Sequence, residues 1–214
     1  MDDSRLLLVV EDIPGIRELL ELTLRFKQYE VMAAQNGQEA LEMLQNRHPA
    51  LIVTDILMPR MDGFSLIYHL RQDQRTRDIP VVFLSATYVS PEDKDFASTL
   101  GAARFIEKPI NMEEFLDTIA DLLARSPTAP PPPLKEAEFR EKYRSRLETK
   151  LAQKNIQSAR AERLLQTGPA NEKAGFEASL RQAMHERHGI EVELQNIHQL
   201  LQGLDSQHDA SHPL

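Results

Sequence analysis

Glu11 and Asp12, Asp55, Ser85 and Lys108 are the residues of this sequence whose types and spacing suggest chemistry. Carboxylates brought together repel one another, and a bound cation relieves that repulsion. Hard oxygen ligands suit Mg²⁺ in particular. A lysine and a hydroxyl beside such a cluster can hold phosphoryl oxygens. A carboxylate in that setting needs only a phosphodonor to become an aspartyl phosphate. Taken singly, each residue has a plain structural explanation. Glu11-Asp12 ahead of Pro14 could favour a helix N-terminus. Asp55 could cap a turn, Ser85-Ala86 could start a helix, and Lys108-Pro109 could be a surface loop.

What joins them is their position relative to short apolar runs. These runs are Leu6–Val10, Val31–Ala34, Leu51–Thr54, Val81–Leu84 and Arg104–Ile106. Three are nearly continuously apolar, as parallel strands buried on both faces should be. Amphipathic helical stretches separate them: Ile16, Leu19, Leu20 and Leu24 after Pro14; Ala40, Leu41 and Leu44 after Asn36-Gly37; Phe64, Ile67 and Leu70 after Asp62-Gly63; Phe115, Leu116, Ile119, Leu122 and Leu123 after Asn111. Strand and helix alternating five times predict an α/β domain with a five-stranded, doubly wound parallel sheet. Glu11-Asp12 follows the first run, Asp55 the third, Ser85 the fourth and Lys108 the fifth. In an open parallel sheet the carboxyl ends of the strands share one edge, so all five polar residues are expected there.

Residues 4–125 resemble the receiver domain of bacterial response regulators, the family of the chemotaxis protein CheY, whose fold is flavodoxin-like. The motifs are Val9-Val10-Glu11-Asp12, Val53-Thr54-Asp55-Ile56-Leu57-Met58-Pro59, Met61-Asp62-Gly63, Leu84-Ser85-Ala86, and Gly101-Ala102 through Phe105-Ile106-Glu107-Lys108-Pro109. The resemblance implies that Asp55 is the phosphoacceptor. It implies Asp12, Asp55 and the Leu57 backbone carbonyl as Mg²⁺ ligands, with Glu11 acting mainly through water. Lys108 would pair with the phosphoryl group. Ser85 would turn its hydroxyl inward to it, and Phe105 would be the aromatic switch that follows. The implied partner is a sensor histidine kinase. The implied activity is self-phosphorylation from a phosphodonor and autodephosphorylation, not that of an enzyme acting on other molecules. Leu57 has no polar atom to orient a water, and Thr87 is small, so slow phosphate loss is expected.

Composition sets the outer bounds. The chain has 214 residues, 41% of them apolar, and no cysteine, which excludes disulfides and thiolate metal sites. Net charge is −8, and nearly all the excess lies before residue 127, which argues against nucleic-acid binding by that region. Leu6–Val10 is too short for a signal peptide or membrane span, so a cytoplasmic location is expected. The expected organisation is a receiver over 1–126, a proline-rich linker over 127–133, helices over 134–206 and a disordered tail over 207–214. The prolines Pro130–Pro133 favour a semi-rigid polyproline spacer.

Beyond the prolines, Lys135 to Gln166 predicts one helix with Phe139, Tyr143, Leu147 and Leu151 as its apolar stripe. Thr167-Gly168-Pro169 stops it. A second helix runs from about Asn171 to Leu204. Its seam, Phe176, Leu180, Ala183, Arg187, Ile190, Leu194, Ile197, Leu201 and Leu204, has coiled-coil spacing. The short turn favours an antiparallel hairpin, and pairing of two hairpins in a homodimer is expected, with Arg187 meeting an acidic residue of a facing helix. Output through an unknown protein partner is the expected role. One alternative is nucleic-acid binding through Arg140, Lys142, Arg144, Arg146 and Lys150, against which a solvated helix face is favoured. Another is a phosphorelay through His185, His188 or His198, against which exposed helical histidines are favoured.

Overall fold

The computed structural model describes residues 6–85, 91–125, 131–169 and 172–209; the side chains of 91, 92, 185, 186, 193 and 196–209 are not included in the description. The chain divides into two compact units, Met1–Leu134 and Lys135–Leu214.

The first unit runs β1 (Leu6–Val10), α1 (Pro14–Phe26), β2 (Glu30–Ala34), α2 (Gly37–Met43), β3 (Leu51–Asp55), α3 (Gly63–Gln72), β4 (Val81–Ser85), α4 (Pro91–Thr99), β5 (Arg104–Glu107) and α5 (Met112–Ala124). The strands form one parallel sheet in the order β2-β1-β3-β4-β5. Every residue of β1, β3 and β4 is buried. Those are the strands whose sequences are nearly unbroken apolar runs, because helices cover both faces. Leu7, Val9, Leu20, Leu24, Val53, Val82, Phe115 and Ile119 fill the layer under α1 and α5. On the other side Phe64 of α3 stacks against Phe83 of β4 and Phe96 of α4, at centroid separations of 5.0 and 5.2 Å.

Local chemistry fixes where the helices start. Asn36 caps α2 by accepting from the Glu39 amide, and Asp62 caps α3 by accepting from Ser65. Asn111 accepts from both Glu113 and Glu114. Asp55 and Ser85 prove to be the last residues of their strands rather than the first residues beyond them, since the parallel ladder pairs Asp55 with Leu84 and Ser85 with Glu107.

The second unit is a hairpin of α6 (Glu136–Thr167) and α7 (Lys173–Asp209). The amide of Gly168 closes the end of α6 on the Leu164 carbonyl, and the Phe176 ring occupies the place a side chain at residue 168 would need. Phe139, Tyr143, Leu147, Ser158 and Ala161 of α6 are buried, as are Ala183, Ile190 and Leu194 of α7. The steps of four from Phe139 to Leu147 give way to a step of three at Ser158–Ala161. Arg187 meets Glu191 of its own helix at 3.4 Å. The apolar stripes therefore close on each other within one chain. Ile197, Leu201 and Leu204 lie outside the described side chains, and residues 210–214 of the expected tail lie outside the described residues.

Gly63 is the tightest joint of the first unit. A Cβ there would fall on the Asp55 carbonyl oxygen and within 3.0 Å of the Phe83 ring. Gly63→Ala must push the end of β3 away from α3. We expect it to lower stability by about 1–3 kcal/mol, as overpacking does. Urea unfolding with the same midpoint as the parent chain would refute this.

Candidate functional site

The site lies at the carboxyl edge of the sheet. Glu11 leaves β1 with no exposed surface, and its backbone amide bonds to the Ala34 carbonyl. Its carboxylate accepts from the Ile13 amide at 3.3 Å and from Lys108 Nζ at 2.8 Å. Asp55, 8% exposed, accepts from the Ile56 amide at 2.9 Å, and its other oxygen lies 3.3 Å from Lys108 Nζ. Glu11, Asp12 and Asp55 each offer an oxygen, and these lie within 4.8 Å of one another. Lys108, next to the cis bond to Pro109, thus reaches two carboxylates from two other strands. Ser85 is buried, and its carbonyl accepts from the Lys108 amide at 2.6 Å. Phe105 is half-buried, its ring 5.9 Å from that of Phe83.

All five chemically suggestive positions therefore converge at this edge. Leu57 lies beyond β3 with 42% of its surface exposed, and its side chain offers nothing to a phosphate. Thr87 lies outside the described residues. Two contributors escaped the sequence reading. Arg17 donates to the carbonyls of Glu11, at 2.6 Å, and Asp12, at 3.4 Å, fixing the loop that presents both carboxylates. Its signal, an arginine in the first turn of an amphipathic helix, does not distinguish it from a surface residue. Gly63 allows α3 to begin directly beneath Asp55, and only the Asp62-Gly63 pairing hinted at that.

The model of the response regulator receiver domain matches residues 7–120, more than half of the chain. The chain belongs to the response regulator receiver family. The response regulator Rre1 of Synechocystis is 35% identical over 138 residues, 64% of this chain and 59% of that protein. The DNA-binding dual master transcriptional regulator RpaA of Synechocystis is 34% identical over 58% of this chain and 51% of its own length. The chain thus spans about half to three-fifths of the length of these relatives. Among solved structures, the chemotaxis response regulator CheY4 of Vibrio cholerae aligns with a TM-score of 0.52 and 33% identity, over 55% of this chain and 97% of its own. The receiver fold of the first unit and its regulatory class rest on these matches and on the sheet order.

The electrostatics of this receiver site follow from burial. Asp55 is raised from the ordinary 3.8 to about 6. Burial is the main cause and the Glu11 carboxylate adds to it, while Lys108 and the Ile56 amide oppose. Burial alone would lower Lys108, but Asp55 and Glu11 outweigh it and hold the ammonium above its usual value. Lys108 is therefore charged at any physiological pH. The three carboxylates suit a hard divalent ion. Lys108 offsets only part of their charge, and the oxygens lie within one ion's reach of each other.

A carboxyl raised in the fold binds a proton more tightly there than in the unfolded chain. Its contribution to stability is then present below the unfolded value and is lost as pH rises toward about 6. The loss is about 1.4 kcal/mol per pH unit in that window, or roughly 3 kcal/mol in all. With a chelator present, Asp55→Asn should be more stable than the parent above pH 6.5, by up to ~3 kcal/mol. The gap should close near pH 4. Urea unfolding across that range checks it, and a gap independent of pH would refute the assignment.

Proposed function

We propose that this chain is a two-component response regulator in which Asp55 accepts a phosphoryl group from a kinase phosphohistidine. The observation that carries the reading is the convergence of Glu11, Asp12, Asp55 and Lys108, with Lys108 Nζ 3.3 Å from Asp55. An Asp55 carboxylate oxygen attacks phosphorus as the phosphorus–nitrogen bond to histidine breaks, and the electron pair stays on the imidazole. Lys108 moves from Asp55 to a phosphoryl oxygen and keeps its Glu11 contact. Mg²⁺, held by Asp12, Asp55 and the Leu57 carbonyl with Glu11 through water, would neutralise charge on those oxygens. Ser85 then donates its hydroxyl to the phosphoryl group. Phe105 packs into the space that the hydroxyl leaves, which biases the surface around α4, β5 and α5. Exposed Ile13, Leu19 and Leu22 offer apolar contact to a helical histidine-bearing kinase.

With acetyl phosphate and Mg²⁺, the parent chain should gain one phosphoryl group. Asp55→Asn should gain none, and Asp12→Ala almost none. Intact-mass measurement decides it, and equal labelling of Asp55→Asn would sink the proposal.

Output is proposed to run through protein association by the α6–α7 hairpin. Three of the α6 cations that could meet nucleic acid are engaged with acids of the same helix: Arg140 with Glu136, Lys142 with Glu138 and Arg144 with Glu141. Arg146 is buried over the Tyr143 ring. His188 is exposed, while His185 and His198 lie outside the described side chains. Ile156 is 72% exposed, and Met184 and Val192 also face water. That leftover apolar surface supports a homodimer through the outer faces of the hairpin. Sedimentation should give twice 24.4 kDa for the full chain and a monomer for residues 1–126. A monomeric full chain at micromolar concentration would refute dimerisation.

A further inference from the structure

We propose that Pro131–Leu134 is a latch: a polyproline strap seated in a groove between the last turns of α3 and α4, and released when Asp55 is phosphorylated. The release half rests on the reading of Asp55 given above; the seat does not.

The groove lies at the end of the sheet opposite the phosphoacceptor. Tyr68 and Arg71 of α3 and Thr99 and Leu100 at the end of α4 line it, together with Pro131, Pro132, Pro133 and Leu134. Arg71 is its brace. The guanidinium is buried and donates to the carbonyls of Arg77, Ile79 and Gly101 at 2.8, 3.1 and 2.9 Å. One side chain thus joins the end of α3, the approach to β4 and the α4–β5 connection. Gly101, at the turn that ends α4, leaves room for the strap. Its φ of +78° is the left-handed region, and a Cβ there would stand 2.6 Å from Pro131 Cδ. Gln72 donates its side-chain amide to the Leu134 carbonyl at 2.9 Å. A proline strap suits such a seat. Its three prolines have no amide hydrogens to satisfy, and a proline run is already extended before it docks.

The moving wall is α4. The rings of Phe105, Phe83, Phe64 and Phe96 form a continuous chain, with centroids 5.9, 5.0 and 5.2 Å apart. It runs from β5 through β4 and α3 to α4. The α4–β5 connection, including Gly101, lies between that helix and Phe105. Repacking of Phe105 would shift the partners of α4, and with them Gly101, whose place beside Pro131 leaves no room for a side chain. Displacement of either wall would part the groove from the strap. By reciprocity, loosening the strap favours the phosphorylated state.

Proton NMR of the full-length chain tests this. In the unmodified protein we expect nuclear Overhauser cross-peaks between the Gly101 α protons and the Pro131 δ protons, and between the Tyr68 ring and the prolines. After acetyl phosphate and Mg²⁺, with phosphate on the chain confirmed by mass, those cross-peaks should be lost. Gly101→Asn keeps a residue that tolerates positive φ but fills the Pro131 position. It should lose the Tyr68–proline cross-peaks without phosphate and label at least as fully as the parent. Gln72→Ala should weaken them. Absence of the cross-peaks in the unmodified chain overturns the seat. Their persistence in chain shown to carry phosphate overturns the release. A chain that takes no phosphate overturns the reading of Asp55 and the release with it, while the unmodified-state cross-peaks still decide the seat.

Discussion

A buried cluster of carboxylates held by one ammonium is the constraint around which the first unit is built. Glu11 has no exposed surface and Asp55 almost none, yet both accept from Lys108, which lies 97 residues from Glu11 in the chain. Carboxylates out of water repel each other and lose hydration, so they are tolerated only where donors meet them. The Ile13 and Ile56 amides and the Lys108 ammonium are those donors. A parallel sheet meets this demand because it brings the ends of β1, β3 and β5 to one edge in register. The incomplete compensation is visible in Asp55, which stays raised to about 6 despite its ion pair. A site with unspent electrostatic demand is suited to a cation and to a phosphoryl group.

This explains why the site was legible in the sequence. Glu11, Asp12, Asp55, Ser85 and Lys108 each follow or end an apolar run, and strand ends in a parallel sheet are ordered by topology alone. The runs marked β1 without error. They fell one residue short at the carboxyl ends of β3, β4 and β5, because Asp55, Ser85 and Glu107 are polar residues that still pair within the ladder. Polarity marks where function starts, and hydrogen bonding marks where the strand stops. The two coincide in Asp55.

What was not legible depends on contacts between residues far apart in sequence. Arg71 reads as a surface cation near a helix end, but it is buried against three carbonyls, one of them Gly101, 30 residues away. Gly63 reads as a helix-start glycine, but its lack of a side chain is required by Asp55 and Phe83. In the second unit the seam of Ala183, Ile190 and Leu194 was visible as periodicity. Periodicity marks a face without naming what covers it, and it was the short turn at Gly168-Pro169 that pointed to α6. The structure covers it with Tyr143, Leu147 and Ser158's side of α6, and Arg187 turns to Glu191 on its own helix.

The two apolar layers of the receiver also differ in kind. Under α1 and α5 the buried cluster is aliphatic apart from Phe115, with Tyr29 packed against it. Under α3 and α4, among buried aliphatics such as Ile67 and Leu70, runs a file of phenylalanines, Phe64, Phe83 and Phe96, continued by Phe105 at the sheet edge. Rings are rigid and turn as plates, so one ring cannot move far without its neighbour answering. The half-buried Phe105 is the end of that file with room to move. In the proposed switch, rearrangement at Asp55 would pass toward α3 and α4 through these rings, while the layer under α1 and α5 would hold the sheet still.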